Sequence, residues 1–321
     1  MLAAQERAGL IDQIRRLPDQ IEYLADAITP QEMSGHFLAG EWSAAQNIHH
    51  LVDSHMNSYI RCRLMLTEEE PPLKPYDQDR WAAIPDAEAA DVTPSLLILR
   101  GLHTRWAQFY EALREEDWQR TGSHPERGIV TLEDQLVLYA RHGPAHVEQI
   151  RRTVAARYAS YVPASLDELL ACIDREWARL GSLLERMTPE QMQTPLENGW
   201  TPKDHLAHIT AWERFMVGYA INGGPAHEAL GVRADQLEPW NVDTINALIV
   251  QASAGRSLAE VRAAFESVHA EARAAVAGIN WAEWDVPIQQ GGDGPPEPRL
   301  DWIAGNTYEH YIEHWHWLPV C

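Results

Sequence analysis

Histidine is the residue whose type and spacing most clearly predict chemistry in this sequence. The chain has 15 histidines among 321 residues, and two pairs have the spacing His-x-x-x-His, at His142/His146 and His310/His314. Residues four apart on an α-helix differ by only about 40° in azimuth, so each pair projects two imidazoles side by side from one turn. One such pair is expected by chance in a chain of this composition. Two pairs at equivalent places of a repeat are much harder to obtain by chance.

A third histidine in each half of the chain follows a helix N-cap by seven residues. These are His50 after Ser43 and His208 after Thr201. Three neutral imidazoles hold Zn²⁺ or Ni²⁺ and leave a coordination position open, which is typical of a catalytic rather than a structural site. We therefore predict two metal-binding triads, His50/His142/His146 and His208/His310/His314. The alternative is that these histidines are hydrogen-bonded residues of a helical core.

An internal repeat positions the two triads. Residues 29–50 and 188–208 share Thr-Pro-x-x-Met, then a tryptophan, then a histidine eight positions later, with a shift of 208 − 50 = 158. The His-x-x-x-His pairs are shifted by 310 − 142 = 168, as if the second copy held ten extra residues. We predict two tandem domains of one fold, residues 1–157 and 163–321.

The hydrophobic periodicity within each copy is helical. Residues 165–187, for example, place leucine, isoleucine and tryptophan side chains on one stripe at three- and four-residue steps. Pro18 is expected to kink or interrupt the first helix, and Pro144 to bend the helix of the first histidine pair. The sequence predicts an all-α protein of two tandem four-helix bundles with long crossover connections. The predicted helices cover residues 4–28, 43–67, 94–116 and 131–157 in the first half and 165–187, 201–221, 257–278 and 300–318 in the second.

Composition excludes several classes of partner. The net charge is 26 − 47 = −21, which repels phosphate backbones and anionic lipid surfaces, so neither nucleic acid nor a membrane is an expected partner. No uncharged apolar run approaches the roughly 20 residues that span a bilayer. The three cysteines, Cys62, Cys172 and Cys321, lie far apart and suit a reduced compartment. A cytoplasmic protein is expected.

With these motifs identified, the sequence resembles the DinB superfamily of metal-dependent four-helix bundles. In the first half, residues 49–86, HTRW at 103–106, HPERG at 124–128 and YARHGPAHVEQI at 139–150 resemble the YfiT-like subgroup, described as metal hydrolases and bacillithiol transferases. In the second half, GWTPKDHLAHITAWE at 199–213, WNVDTINALI at 240–249 and GNTYEHYIEHW at 305–315 resemble the DfsB/ClbS branch, whose members protect producers against reactive toxins. The resemblance implies metal ligands at the same six histidines.

The resemblance of the first half implies a metal-dependent thiol S-transferase or hydrolase that acts on a small electrophilic molecule. Zn or Ni is the implied metal, and a low-molecular-weight thiol is the implied co-substrate. Asp53 and Asn57, at i+3 and i+7 from His50, are predicted to face the same cavity, with His55 and Arg61 nearby. Asp53 would orient a bound water or an imidazole, and Arg61 would pair with a thiol carboxylate. Ordinary solvent-facing helix residues are the alternative for these positions.

The second half supports a different reading. It holds nine of the 13 tryptophans, and Trp212 and Trp240 are predicted to line a hydrophobic substrate site. The alternative function is therefore a resistance protein that binds or opens a reactive hydrophobic small molecule without obligatory metal. A non-catalytic, ligand-binding pseudo-dimer is a third interpretation. Either an intrachain pseudo-dimer or a homodimer fits the tandem repeat.

Overall fold

The structure is a computed structural model that describes residues 1–159, 161–196, 198–283, 287–288 and 297–319. The chain divides into two compact units, Met1–Ala159 and Ser160–Cys321. Helices make up 70% of the residues that the structure describes, which confirms the predicted all-α class. Among the described residues the β-structure consists of short antiparallel hairpins.

In the first unit, four long helices form a bundle in which α1 and α3 each pack against both α5 and α6. Its elements are α1 (Ala4–Ala27), α2 (Pro30–Ser34), α3 (Ala44–Thr67), α4 (Gln78–Ala82), α5 (Thr93–Glu111), a 3₁₀ turn (Glu115–Gln119), β1 (Thr121–His124), β2 (Gly128–Thr131), α6 (Leu132–Ala155) and a 3₁₀ turn (Ala156–Tyr158). The apolar stripe of α1, including Ile14, Leu17, Ile21 and Leu24, is fully buried. Burial of such side chains contributes about 1.5–3 kcal/mol each, and this holds α1 against α5 and α6.

The helices that carry the first triad begin where their caps predict. Ser43 accepts a hydrogen bond from the Gln46 N–H at the start of α3, and Thr131 accepts one from the Asp134 N–H at the start of α6. These contacts satisfy backbone donors that a helix N-terminus leaves unpaired. The local sequence therefore fixes the register of both histidine-bearing helices.

The two prolines within helices do not end them. Pro18 is buried within the continuous helix α1, and Pro144 lies inside α6 between the two histidines of the pair. Each proline removes one backbone donor. The prediction that Pro18 interrupts the first helix is not supported, because the packed apolar stripe continues on both sides of it.

The second unit repeats the bundle: α7 packs against α11 and α13, and α8 packs against α10, α11 and α13. Its elements are α7 (Leu166–Arg186), a 3₁₀ turn (Gln191–Gln193), α8 (Pro202–Phe215), a π-helical turn (Met216–Ile221), α9 (Ala226–Leu230), a 3₁₀ turn (Ala234–Gln236), α10 (Val242–Ser253), α11 (Leu258–Ala277), a 3₁₀ turn (Trp281–Glu283), β3 (Pro287–Ile288), β4 (Glu297–Pro298), α12 (Arg299–Ala304) and α13 (Tyr308–Trp317).

The last predicted helix, 300–318, is divided into α12 and α13 in the structure. The side chains of Asn306 and Thr307 donate hydrogen bonds to the carbonyls of Trp302 and Ile303. These side chains cap carbonyls that the next turn would otherwise use, so α12 ends and α13 starts again at Tyr308. Helix α13 begins two residues before His310, so the break places the second histidine pair in the first turns of α13.

Candidate metal centres

The first triad joins helix α3 to helix α6. His50 and His146 are buried and His142 is partly buried. One ring nitrogen from each of the three lies within 4.8 Å of the others, and Nε2 of His142 is 3.2 Å from Nε2 of His146. The structure therefore brings together the three side chains that the sequence predicts to converge.

Asn47 determines which nitrogen of His146 carries the proton. The Asn47 side-chain amide donates from Nδ2 to the Ser43 carbonyl at 2.9 Å, so its Oδ1 is the atom facing His146. Nδ1 of His146 lies 2.7 Å from this Oδ1 and has to donate, because an amide oxygen can only accept. In the neutral ring, Nε2 of His146 is then left with a lone pair directed at the triad.

A chain of three histidines does the same for His142. Nδ1 of His103 donates to the Ile14 carbonyl at 2.5 Å, which leaves Nε2 of His103 as an acceptor. Nδ1 of His55 donates to it at 2.7 Å, and Nε2 of His55 accepts from Nδ1 of His142 at 3.0 Å. One backbone carbonyl thus fixes the tautomers of all three rings. Nε2 of His142 is left with a lone pair facing that of His146.

Burial keeps these rings neutral. Together with a smaller effect of the neighbouring histidines of the triad, burial lowers the pKa of His142 and His146 to about 3 and that of His50 to about 4. Neutral imidazoles are the form that binds metal. At neutral pH, protonation therefore does not compete with a cation at this site.

The first triad fits a divalent metal. With metal–nitrogen bonds of about 2.0–2.1 Å, tetrahedral geometry places two ligand nitrogens about 3.3 Å apart. Two lone pairs at 3.2 Å repel each other unless a cation lies between them. Nε2 of His50 is buried, and no described residue hydrogen-bonds to it, so it is available as the third ligand. Donation of the second ring N–H to a protein acceptor, as in His142 and His146, is the usual arrangement of metal-binding histidines.

Two cavities adjoin the first triad. A cavity of 370 Å³ is lined by His142 and His146 together with Trp42 and Asn47. A second, of 140 Å³, reaches His142 from the side of β1 and is lined by Arg61, His124 and Arg127. Burial lowers the pKa of His124, and the charges of Arg61 and Arg127 add to this effect. The lining also includes the carboxylate of Glu126, so two guanidinium groups against one carboxylate leave the smaller cavity with a net positive charge that favours an anionic group.

Among the three polar residues predicted on α3, only Arg61 lines a cavity at the triad. The α3 stripe that faces α6 runs from His50 through Ser54 and Ser58, in steps of four residues. Asp53, at i+3, falls on the other flank, where burial and the nearby Asp86 carboxylate raise its pKa. The prediction that Asp53 and Asn57 face the cavity of His50 is therefore not supported.

Asn57 makes a side-chain hydrogen bond within its own helix. Its side chain donates to the backbone carbonyl of Asp53 at 2.8 Å, within the same helix. This bond leaves Asn57 no part in the contacts described for the triad.

The second triad joins α8 to α13. His208, His310 and His314 are all buried, with one ring nitrogen of each within 4.8 Å of the others. Nε2 of His310 lies 2.9 Å from Nε2 of His208 and 3.0 Å from Nε2 of His314. Burial lowers the pKa of all three rings, to about 3 for His310. The rings converge as closely as those of the first triad.

The second triad opens into a cavity of 620 Å³. Both predicted tryptophans line it, and Nε1 of Trp212 donates to Oδ1 of Asn246 at 3.0 Å. Trp212 and Trp240 lie edge to face, with their ring centroids 6.4 Å apart. Further lining residues are Trp200, Trp302, Trp317, Asp301 and Glu313, and none of the described lining residues is a lysine or arginine.

Sequence reasoning missed the residues that orient the ligands. Asn47, His103 and His205 contact ring nitrogens of the triads or of their partners, yet none of them belongs to a His-x-x-x-His pair. The structure buries His205, with its Nδ1 2.6 Å from Nδ1 of His314. The available signal was the repeat itself: Asn47 and His205 are both three residues before the first histidine of their triad.

Comparison with known proteins is consistent with a repeated domain. A family model described as the DinB superfamily matches residues 13–150 and again residues 172–318. A relative from Bacillus cereus strain 03BB102, named "Putative metal-dependent hydrolase", is 39% identical over 145 residues, which cover 44% of this chain and 83% of the relative. The relative named "Putative metal-dependent hydrolase YfiT", from Bacillus subtilis strain 168, is 35% identical over 150 residues, which cover 46% of this chain and 84% of the relative. Relatives of this kind cover the N-terminal half.

A solved structure of YfiT from Bacillus subtilis is 32% identical, with a TM-score of 0.47, and the match covers 50% of this chain and 92% of that one. Within the described part of the chain, no helix has the length and apolar character needed to cross a bilayer.

Proposed function

Because the chain belongs to the DinB superfamily in both halves, we propose that its first half is a metal-dependent hydrolase or thiol S-transferase that acts on a small electrophilic molecule. The proposed metal is Zn²⁺ or Ni²⁺, held by His50, His142 and His146. The names of the relatives support metal-dependent hydrolysis, and the transferase reaction is our extension of it.

One observation carries the proposal: Nε2 of His142 and Nε2 of His146 face each other at 3.2 Å, each with its lone pair directed at the other. Each ring carries its proton on Nδ1. His142 donates this proton to Nε2 of His55, and His146 donates it to Oδ1 of Asn47. In a core that binds no cation, two such acceptor nitrogens are expected to share a hydrogen-bond donor. Two fixed acceptors at this separation are instead an arrangement for a cation.

The chemistry follows from the donor set and the cavities. A bound divalent cation with open coordination positions would lower the pKa of a water or a thiol towards neutral pH and so supply a nucleophile. Arg61 and Arg127, in the cavity beside His142, would bind the carboxylates of an acidic thiol. In thiol transfer, the sulfur forms a bond to the electrophilic carbon, the leaving group departs with its electron pair, and the thiol proton passes to solvent. In hydrolysis, water takes the place of the thiol.

The test is metal content together with turnover. Protein purified without a histidine tag is expected to contain at least one equivalent of Zn or Ni, and the double variant His142→Ala/His146→Ala is expected to lose the first-half equivalent and the activity. His49→Ala is the matched control, because His49 adjoins His50 on α3 but bonds Ser95 and the Ala89 carbonyl instead. Turnover is measured with monochlorobimane and a panel of thiols, and with ester substrates for hydrolysis. A folded wild-type chain that binds neither metal would refute the proposal.

The cavity of the second half favours a second function, the binding of a hydrophobic small molecule. Its volume of 620 Å³ is in the range of drug-sized ligands, and five tryptophans line it. Its charged lining residues, Asp301 and Glu313, are acidic, so it disfavours the carboxylates of an acidic thiol. A neutral or cationic aromatic molecule is the ligand class that this lining favours.

Tryptophan substitution tests this second function. Trp212→Ala and Trp240→Ala are expected to weaken binding of an uncharged or cationic fluorescent dye at least tenfold. Trp281→Ala is the control, because Trp281 does not line the cavity. Equal affinity of all three variants would place the dye elsewhere and remove the support for a binding function of this cavity.

A further inference from the structure

Equivalent positions of the two repeats hold different hydrogen-bonding groups around the triads. With the shift of 158, Asn47 corresponds to His205 and His55 corresponds to Glu213. In the first half these positions accept protons from Nδ1 of His146 and of His142. The two substitutions therefore change the partners of the corresponding histidines, His314 and His310.

The first difference reverses a hydrogen bond. Oδ1 of Asn198 accepts from the Trp200 N–H at 3.0 Å, so Nδ2 of Asn198 is the atom that faces Nε2 of His205, at 3.4 Å. His205 then carries its proton on Nδ1 and donates it to Nδ1 of His314 at 2.6 Å. His314, in its neutral form, holds its own proton on Nε2. That proton points at Nε2 of His310, 3.0 Å away, instead of leaving a lone pair for a cation.

The second difference removes an acceptor. Oε1 of Glu213 is 3.0 Å from Nδ1 of His269 and also accepts from the Tyr311 hydroxyl. Oε1 of Glu213 is thus engaged away from His310, and no described residue hydrogen-bonds to Oε2 of Glu213, to Nδ1 of His310 or to Nδ1 of His208. The partner that normally orients and polarises a metal-binding imidazole is not provided by the described residues at these two rings.

We propose that the two triads have diverged: the first binds the divalent metal, and the second is a hydrogen-bonded histidine cluster that His205 keeps from binding metal at comparable affinity. In the cluster, Nε2–H of His314 donates to Nε2 of His310, so two of the converging nitrogens share a proton. The rings of His208, His310 and His314 form part of the wall of the 620 Å³ cavity. The assignment of the metal to the first half rests on the proposed function above.

The test measures metal affinity at each triad separately in the full chain. Co²⁺ titrations followed by visible absorption, and equilibrium dialysis with Zn²⁺, are applied to the wild type, to His142→Ala/His146→Ala and to His310→Ala/His314→Ala. The wild type and His310→Ala/His314→Ala are expected to bind one tight equivalent. The variant His142→Ala/His146→Ala, which keeps only the second triad, is expected to bind at least 100-fold more weakly.

A gain of binding tests the role of His205. His205→Asn, added to His142→Ala/His146→Ala, supplies an amide acceptor for Nδ1 of His314 and is expected to raise metal affinity at the second triad by 10–100-fold. His205→Gln is a second variant with the same acceptor. The reciprocal change Asn47→His is expected to weaken the first triad by a similar factor. Far-UV circular dichroism of each variant verifies the fold.

The outcomes separate the two proposals. Two equivalents of equal affinity in the wild type, one lost in each double variant, would overturn the divergence and leave the proposed function intact. No gain of affinity in folded His205→Asn and His205→Gln proteins would overturn the role of His205. A wild-type chain that binds no metal would overturn both proposals.

Discussion

Nδ1 of His55 lies 2.7 Å from Nε2 of His103 in the interior of the first bundle. Both rings are fully buried, at 0% and 1% exposure. The pair connects His142, at the candidate metal centre, to the carbonyl of Ile14 on α1. Helix α1 contributes no ligand, but it sets the tautomer of a ligand on α6 through two imidazoles.

Removal of His103 should therefore weaken metal binding without touching a ligand. His103→Phe leaves Nδ1 of His55 without its acceptor, so the direction of the hydrogen bond between His55 and His142 is no longer fixed. We expect a 10–100-fold loss of Zn²⁺ or Co²⁺ affinity at the first triad, measured by competition with a chelator. His49→Phe on α3 serves as the control and should leave affinity unchanged. Full affinity in a folded His103→Phe protein would show that the hydrogen bonds from His103 through His55 do not orient His142.

The basic cavity beside His142 should select acidic thiols. Arg61→Gln together with Arg127→Gln removes two positive charges that line it, so the KM for a thiol with carboxylates should rise about tenfold, with a smaller change in kcat. The KM for an uncharged thiol should not change. Arg63→Gln, on the same helix but outside the cavity, is the control. The prediction fails if acidic and uncharged thiols respond alike.

Acid should destabilise the metal-free protein. Burial, together with the nearby His142, lowers the pKa of His50 to about 4 in the folded state. In the unfolded chain the imidazole has its ordinary pKa of 6.5. Because the folded pKa is the lower one, the unfolded chain binds more protons below pH 6.5. This stabilising contribution is complete above that pH and is lost as the pH falls towards 4, at about 1.4 kcal/mol per pH unit.

Urea unfolding in a chelating buffer between pH 7.5 and 4.5 measures this slope. The free energy of unfolding of His50→Gln should fall less steeply with acid than that of the wild type. His36→Gln, which replaces an exposed histidine, should keep the wild-type slope. Parallel curves for His50→Gln and the wild type would show that His50 titrates alike in the folded and unfolded states.

Gly143 permits the close approach of α1 to α6 beside the triad. A Cβ at this position would lie 2.4 Å from Cδ2 of Leu17, well inside van der Waals contact. Gly143→Ala is expected to lower the free energy of unfolding by about 1–3 kcal/mol, because Leu17 has to leave its packed position. Gly9→Ala is the matched control: it lies on α1 with nothing within 4 Å of its added Cβ, and should stabilise by about 0.5–1 kcal/mol. Chemical denaturation of both variants decides the point.

The sequence alone determined the features that depend on local periodicity. The stripes of apolar residues, the caps at Ser43, Thr131 and Thr201 and the repeat predicted seven of the eight long helices close to their observed bounds, whereas the eighth, 300–318, is divided into α12 and α13. Spacing of four residues on one helix, together with the repeat, also predicted which six histidines converge. These properties follow from the geometry of a single helix, so they can be read without knowledge of the partner helices.

Only the tertiary structure decided how each imidazole is held. Asp53 is near His50 in sequence and lines neither cavity at the triad, whereas His103 is distant in sequence and reaches His142 through His55. The direction of a hydrogen bond depends on which acceptor another helix brings within 3 Å, and spacing along one helix contains no such information. For that reason the sequence predicts two similar triads, and the contacts of Asn47 and His205 across the bundles make them different.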